Sequence, residues 1–128
     1  MHDENMAIVK SLVSVAWADG VYADQERKMV EALIAAFDAN DEDAKHIRDY
    51  AAEKRTIDDV PVSDLSADDR RILVQHAVLL TFVDGKQDEV EKAFIGTLCE
   101  KLRIPDDESK VLVEAAEARA KQIGRAHV

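Results

Sequence analysis

The residues with the clearest chemical potential are carboxylates grouped around two Asp-Gly pairs. The first group is Asp19, Asp24 and Glu26, and the second is Asp84, Asp88, Glu89 and Glu91. Carboxylate oxygens are hard ligands, which suit Ca²⁺ or Mg²⁺ better than Zn²⁺ or a softer metal. Without a cation, carboxylates this close together repel one another. The seven residues are therefore a candidate site for a divalent cation.

The spacing from each Asp-Gly pair to the Glu matches the second half of an EF-hand calcium loop. In that loop the Gly is position 6 and a bidentate Glu is position 12. Positions 1 and 3 need oxygen ligands, but in the first copy they would be Val15 and Trp17. Apolar residues on a continuing helix cannot fill these positions, so a standard EF-hand is excluded.

A structural interpretation stands beside the metal one. In each turn the Gly suits a positive φ after one helix, and the Glu would lie in the first turn of the next. A carboxylate there accepts backbone N–H bonds and interacts favourably with the helix dipole, and such caps contribute about 0.5–2 kcal/mol each. Both interpretations stay open, because a capping carboxylate keeps a spare oxygen.

The two acidic turns belong to a longer repeat with an offset of 65 residues. No gap is needed from about Ile8, opposite Leu73, to Asp43, opposite Glu108. Matching pairs include Val13 with Val78, Trp17 with Phe82, Asp24 with Glu89, Arg27 with Lys92, Val30 with Ile95, Leu33 with Leu98 and Asp41 with Asp106. The repeat predicts an internal duplication.

Hydrophobic periodicity predicts an all-α bundle of six to seven helices in two pseudo-symmetric halves. The chain is expected to be one domain, 1–128, with a first half over about 4–55, a linker over 56–65 and a second half over about 66–123. Ser66 and Asp69 form a capping box that opens the fourth helix. The apolar stretch 72–83 predicts that this helix continues to Val83, and no strand pattern competes.

Charge limits the partners. The net charge is −10 and the pI about 4.8, so the surface repels nucleic acid and anionic lipid. Residues 38–69 hold eleven Asp/Glu against four Lys/Arg, a net charge of −7. A basic protein surface is the partner that this stretch favours.

The sequence predicts a cytoplasmic protein. The N-terminus lacks a basic segment that leads into an apolar run, so no secretory signal is expected. The longest apolar run, 72–83, is too short to span a bilayer, which argues against direct membrane insertion. A single cysteine, Cys99, excludes an internal disulfide.

Residues that could support catalysis are few. Cys99 falls at a core position and is expected to be an inert buried thiol. His76 lies in the apolar fourth helix and is expected to be a core histidine. No Ser/His/Asp or Cys/His arrangement and no Gly-rich phosphate loop stands out. The chain is therefore expected not to be an enzyme and to hold no organic cofactor.

Residues 16–27 (Ala-Trp-Ala-Asp-Gly-Val-Tyr-Ala-Asp-Gln-Glu-Arg) and 81–92 (Thr-Phe-Val-Asp-Gly-Lys-Gln-Asp-Glu-Val-Glu-Lys) carry a family resemblance. Both resemble the repeated motif of the TerB family of tellurite-resistance proteins. The resemblance covers about 8–113. It implies an all-helical, pseudo-symmetric domain without catalytic activity, active in stress resistance through membrane-associated complexes. It also implies a metal-binding role for Asp19, Asp24, Glu26, Asp84, Glu89 and Glu91.

Two functions follow. The first is a non-enzymatic, TerB-like stress-response protein that binds a divalent cation through its acidic turns and acts by protein association. The second is a protein-interaction module, similar to a co-chaperone domain, in which the turns are structural and the acidic stretch 38–69 docks a basic partner. A single Cys and no Met-rich cluster provide no ligand set for direct tellurite chemistry.

Overall fold

The computed structural model describes residues 3–18, 20, 24–83, 86–87 and 89–126. The predicted all-α class is confirmed. In chain order the helices of this part of the chain are α1 (Asp3–Ala16), α2 (Asp24–Ala36), α3 (Asp41–Ala51), α4 (Ala67–Thr81), α5 (Glu89–Lys101) and α6 (Asp106–Ala126). The chain divides into two compact units, Met1–Leu65 and Ser66–Val128.

In the first unit, α1 packs on α2 and α3. The apolar stripes of the three helices meet in one cluster of buried side chains: Val9, Val13, Ala16, Val30, Ile34, Ala44, Ile47 and Ala51. Ile8, Leu12 and Val15 form a second apolar stripe on α1, and all three are also buried. An α1 that is buried on two faces explains why its sequence is apolar over such a wide arc.

Trp17 ties the end of α1 to the end of α3. Its indole Nε1–H donates a 2.9 Å hydrogen bond to the backbone oxygen of Ala51. The last carbonyls of a helix lack intrahelical partners, so this bond satisfies one that would otherwise be unpaired. The ring itself packs against the buried cluster. Trp17 is thus a partly buried residue at the edge of the core.

The linker, residues 56–65, has regular structure although its sequence shows no helical period. It forms two short 3₁₀ helices, Ile57–Asp59 and Val62–Asp64. The first is closed by a capping box between Thr56 and Asp59. Val60 and Leu65 are buried, with 4% of each exposed. The first of the two 3₁₀ helices packs against α1.

In the second unit, α4 packs on α6 and on α5. The predicted capping box is present: Ser66 Oγ accepts from the Asp69 N–H, and the Asp69 carboxylate accepts from the Ser66 N–H. Arg71 on α4 forms an ion pair with Glu108 on α6. The buried side chains include Leu73, Val74, Ala77, Val78, Ile95, Leu98, Cys99 and Leu102.

The prediction that α4 continues to Val83 is wrong, because the helix ends at Thr81. Phe82–Val83 forms strand β1, which pairs antiparallel with β2 (Lys86–Gln87); Phe82 lies opposite Gln87 and Val83 opposite Lys86. Asp84 and Gly85, which follow Val83 in sequence, are the residue pair that two-residue hairpin turns prefer. An aromatic and a β-branched residue beside such a pair favour strand over helix.

Several structural landmarks recur at the 65-residue offset of the sequence repeat. α2 and α5 begin at Asp24 and Glu89 and end at Ala36 and Lys101. After these helices, Asp38 and Arg103 both have positive φ, at 51° and 58°. Two landmarks differ: α6 is much longer than α3, and among the described residues strands follow only α4.

Candidate functional site

The first acidic turn joins α1 to α2. Gly20 has φ of 78°, and its N–H donates to the Trp17 oxygen at 2.8 Å. A left-handed residue of this kind favours glycine, as the sequence predicted. Of the three predicted ligands, Asp19 lies outside the described residues. The other two, Asp24 and Glu26, both lie in the first turn of α2.

Asp24 and Glu26 differ in their surroundings. The Asp24 side chain is 89% exposed and accepts a 3.2 Å bond from Arg27, three residues on. Such an exposed pair is worth only about 0.2–1 kcal/mol and is easily broken. Glu26 is half-buried. Its position at the third residue of α2 places it at the positive end of the helix dipole.

Lys54 lies beside the first turn, which no sequence pattern indicated. Its Nζ is 3.7 Å from the point that a Cβ on Gly20 would occupy. Among the described residues Lys54 forms no ion pair. Lys54 therefore places a positive charge close to the backbone of Gly20. This positive charge repels a metal cation, so Lys54 would lower the affinity of the first turn for one.

The residues of the second acidic turn run from the position after β1 to the first turn of α5. Two of its four predicted ligands, Asp84 and Asp88, lie outside the described residues. The other two, Glu89 and Glu91, lie in the first turn of α5, where Glu89 is exposed and Glu91 half-buried. Both turns thus place carboxylates at the first and third residues of a helix.

These positions can serve a cap, a cation or both. Over the described part of the chain, no three His, Cys, Asp or Glu side chains converge on a point where they could hold a metal ion. The four described carboxylates would therefore depend on Asp19, Asp84 or Asp88 to complete a ligand set.

The acidic stretch 38–69 presents a second feature within the first unit, an acidic surface. Its exposed carboxylates there are Asp38, Asp41, Glu42, Asp49, Glu53, Asp58 and Asp64. In the same unit, Tyr50 lies close to two cations: Lys10 Nζ is 5.3 Å from the ring centroid and the Arg55 guanidinium carbon 3.7 Å. Burial is the main reason why the pKa of Tyr50 is raised.

Cys99 and His76 contrast with each other. Cys99 is buried as predicted, and burial, followed by the Glu100 charge, raises the pKa of its thiol. A neutral buried thiol is a poor nucleophile. The expectation that His76 is a core histidine is wrong, because the residue lies on the exposed side of α4. Partial burial and the neighbouring Arg119 charge lower its pKa.

None of the helices in the described ranges combines the length and apolarity that a membrane span requires. A family model described as "Tellurite resistance protein TerB" matches residues 5–113. No curated protein and no solved structure matches the chain at a significant level. The family match spans both acidic turns and reaches into both units.

Proposed function

Since the chain belongs to the TerB family of tellurite resistance proteins, we propose that its two acidic turns bind a divalent cation and that the protein acts in stress resistance by associating with other proteins. The main support for this proposal is that α2 and α5 begin in the same way. Each helix places carboxylates at its first and third residues, a few residues after an Asp-Gly pair. Hard oxygen ligands of this kind favour Ca²⁺ or Mg²⁺.

We also infer that the second unit arose as a duplicate of the first. Support comes from the recurrence of helix ends and of positive-φ residues at one offset. Buried positions recur as well: Val13 and Val78 are both 0% exposed, and Val30 and Ile95 are 1% and 2% exposed. A duplicated unit that keeps the acidic turn predicts two cation sites per chain.

The role in tellurite resistance is proposed to be indirect and non-enzymatic. Cys99, the one cysteine in the chain, is buried with a raised pKa, so it offers neither a thiolate nor an accessible soft ligand. The protein would instead recruit or regulate a partner complex, with the bound cation as the signal that alters its acidic surface.

The test is thermal unfolding of chelator-stripped protein at constant ionic strength, with and without ~1 mM Ca²⁺, Mg²⁺, Mn²⁺ or Zn²⁺. A ligand that binds only the folded state raises its stability. A Kd of about 0.1 mM would add about 1.4 kcal/mol, which raises the midpoint by about 4–6 °C. If the second turn holds the tighter site, the rise in the double variant Asp84→Asn/Glu91→Gln should shrink to the smaller contribution of the first turn, while the helical circular dichroism remains.

The matched control is Asp41→Asn/Asp43→Asn. These residues are the first and third of α3, so the control removes two charges from the start of a helix that no Asp-Gly turn precedes. It should keep the full cation response. If no cation raises the midpoint, the turns are caps only; if both double variants lose the response equally, the cation merely screens charge.

The second candidate function is a protein-interaction module with structural turns. The seven exposed carboxylates of the acidic surface favour it. Such a surface should bind a basic peptide with an affinity that falls as NaCl rises from about 20 to 200 mM. Asp58→Asn/Asp64→Asn should weaken binding, and Asp84→Asn/Glu91→Gln should leave it unchanged. Cation-independent binding of this kind would favour the module over the proposed metal-linked protein.

A further inference from the structure

A small cavity in the second unit has no part in the acidic turns. It lies between α4 and α6 and has a volume of about 230 Å³. The lining residues repeat one spacing on each helix: Gln75, His76 and Leu79 from α4, and Ala115, Ala116 and Arg119 from α6. Residues i and i+4 lie on the same side of a helix, so each helix provides one wall of the cavity. The cavity is open to solvent: Ala116 is buried and Leu79 half-buried, whereas Gln75, His76, Ala115 and Arg119 are exposed.

The polar part of the lining is positively charged. Arg119 offers five N–H donors in a planar fork, and Gln75 and His76 add side chains that can also donate. Arg119 is close enough to His76 that its charge lowers the pKa of the imidazole. The cavity therefore presents hydrogen-bond donors and a fixed positive charge to anything inside it.

Arg119 differs from the paired arginines of the chain. Arg27, Arg48, Arg55 and Arg71 each form an ion pair with a carboxylate. Arg119 pairs with no carboxylate of the described residues. The chain has 27 Asp and Glu against 17 Lys and Arg, so carboxylates outnumber the cationic side chains that they could pair with. The exposed Arg119 guanidinium, which has no carboxylate partner among the described residues, is available for an external anion.

The rest of the lining is small and apolar. Leu79, Ala115 and Ala116 provide methyl groups without polar atoms beyond the backbone. The volume is below the roughly 300–1,000 Å³ of sites for drug-sized ligands and close to that of about eight waters at ~30 Å³ each. This combination suits a ligand with one anionic end and a short aliphatic chain.

We propose that the α4–α6 cavity binds a short-chain aliphatic monocarboxylate, with the carboxylate on Arg119 and the chain against Leu79, Ala115 and Ala116. A carboxylate matches the guanidinium fork through two parallel N–H···O bonds. A phosphate dianion fits less well, because one fixed positive charge would face two negative ones in a protein of net charge −10. This site is independent of the cation proposal and uses none of its residues.

The test is a titration of the ¹⁵N-labelled protein with sodium butyrate, followed by NMR. Saturable shifts are expected at the backbone amides of the six lining residues and at the His76 ring. Butyramide has the same shape without the charge and should bind at least about tenfold more weakly. Inorganic phosphate serves as the second anion. It should not saturate the same signals at the concentrations at which butyrate does.

Arg119→Gln should weaken butyrate binding at least about tenfold. Lys121→Gln is its matched control, since it removes one positive charge from the exposed surface of the same helix without touching the cavity. Arg119→Lys keeps the charge but not the fork and should give an intermediate affinity. It also serves if Arg119→Gln fails to fold, because loss of affinity in a folded Arg119→Lys still tests the fork.

Three results would overturn the proposal. One is the absence of saturable butyrate shifts at the lining residues. Another is equal binding of butyramide, which would make the cavity a purely apolar site. The third is saturation by phosphate with no response to butyrate. An Arg119→Lys variant that binds butyrate as tightly as the parent would contradict the bidentate geometry.

Discussion

At the residue scale, His76 makes the stability of the protein depend on pH. Its pKa is lowered from the ordinary value of 6.5, first by burial and then by Arg119. The unfolded chain therefore binds more protons at this residue than the folded chain just below pH 6.5. Stability from this source is complete above that pH and is lost as pH falls through the lower, folded pKa.

We predict that the free energy of unfolding decreases as pH falls from about 7 to about 5.5, and that His76→Gln flattens this part of the profile. Urea denaturation at a series of pH values measures both. Below about pH 5.5 the protonation of carboxylates also lowers stability. The parent and the variant are therefore compared only between about pH 5.5 and 7. If the unfolding free energy of the variant changes with pH as steeply as that of the parent, His76 is not the cause of the pH dependence.

Trp17 reaches 34 positions along the first unit to its hydrogen-bond partner, Ala51. Trp17→Phe keeps an aromatic ring against the buried cluster but removes the donor. The expected loss in unfolding free energy is about 1–3 kcal/mol, because a C-terminal carbonyl of α3 loses its partner and the smaller ring leaves a gap. Denaturant unfolding measures it, and a change below about 0.3 kcal/mol would mean that water replaces the indole without cost.

At the element scale, the described residues that follow α1 and α4 differ in structure although the two sequences match. Residues 17–18 continue α1 as a turn that reaches the left-handed Gly20, whereas Phe82 and Val83 leave α4 as a strand. The elements that follow are alike again, since both α2 and α5 begin with a carboxylate at the first and third residues. Among the described residues, the segments that follow α1 and α4 differ, whereas the starts of α2 and α5 agree.

Two glycines give opposite predictions for the same substitution. Gly20 has φ of 78°, so Gly20→Ala should cost about 1–2 kcal/mol in strain, although the new Cβ would meet Lys54 only at ordinary contact distance. Gly96 lies within α5, and a Cβ added there would have nothing within 4 Å. Gly96→Ala should therefore stabilise the protein by about 0.5–1 kcal/mol.

Thermal or denaturant unfolding of both alanine variants provides the comparison. Because the two substitutions add the same methyl group, their difference isolates backbone conformation. Equal effects of the two substitutions would mean that the Gly20 turn relaxes to a conformation with negative φ at no cost.

At the scale of the whole molecule, net charge is the dominant long-range effect. A chain at −10 repels itself when folded, and salt screens that repulsion. We predict that the unfolding midpoint rises as NaCl increases from about 10 to 150 mM. Differential scanning calorimetry at several salt concentrations measures the rise; a midpoint that falls with salt would mean that attractive ion pairs such as Arg48–Glu31 outweigh the repulsion.

The same screening sets the control for the proposed cation sites. A divalent cation at ~1 mM adds little ionic strength to a buffer that already holds about 150 mM salt, so nonspecific screening is then nearly constant. A midpoint rise under these conditions measures binding. The expected two sites per chain can be counted by calorimetric titration, and the variant at Asp84 and Glu91 should retain only the weaker one, at the first turn beside Lys54.

The sequence determined the features that depend on neighbours along the chain. The helical class, the Ser66–Asp69 capping box, the buried position of Cys99 and the first-turn carboxylates Glu26 and Glu91 all follow from local pattern, because a helix and its caps are local structures. The sequence does not locate the end of α4, because an apolar run has no period that separates helix from strand.

Only the tertiary structure decided which side chains meet across space. It placed Lys54 beside Gly20 in the first unit and brought Arg119 next to His76 at the α4–α6 cavity in the second. Sequence spacing carries no such information, because the packing of one helix on another sets these distances. Binding chemistry depends on convergence of this kind, whereas the fold class depends on periodicity.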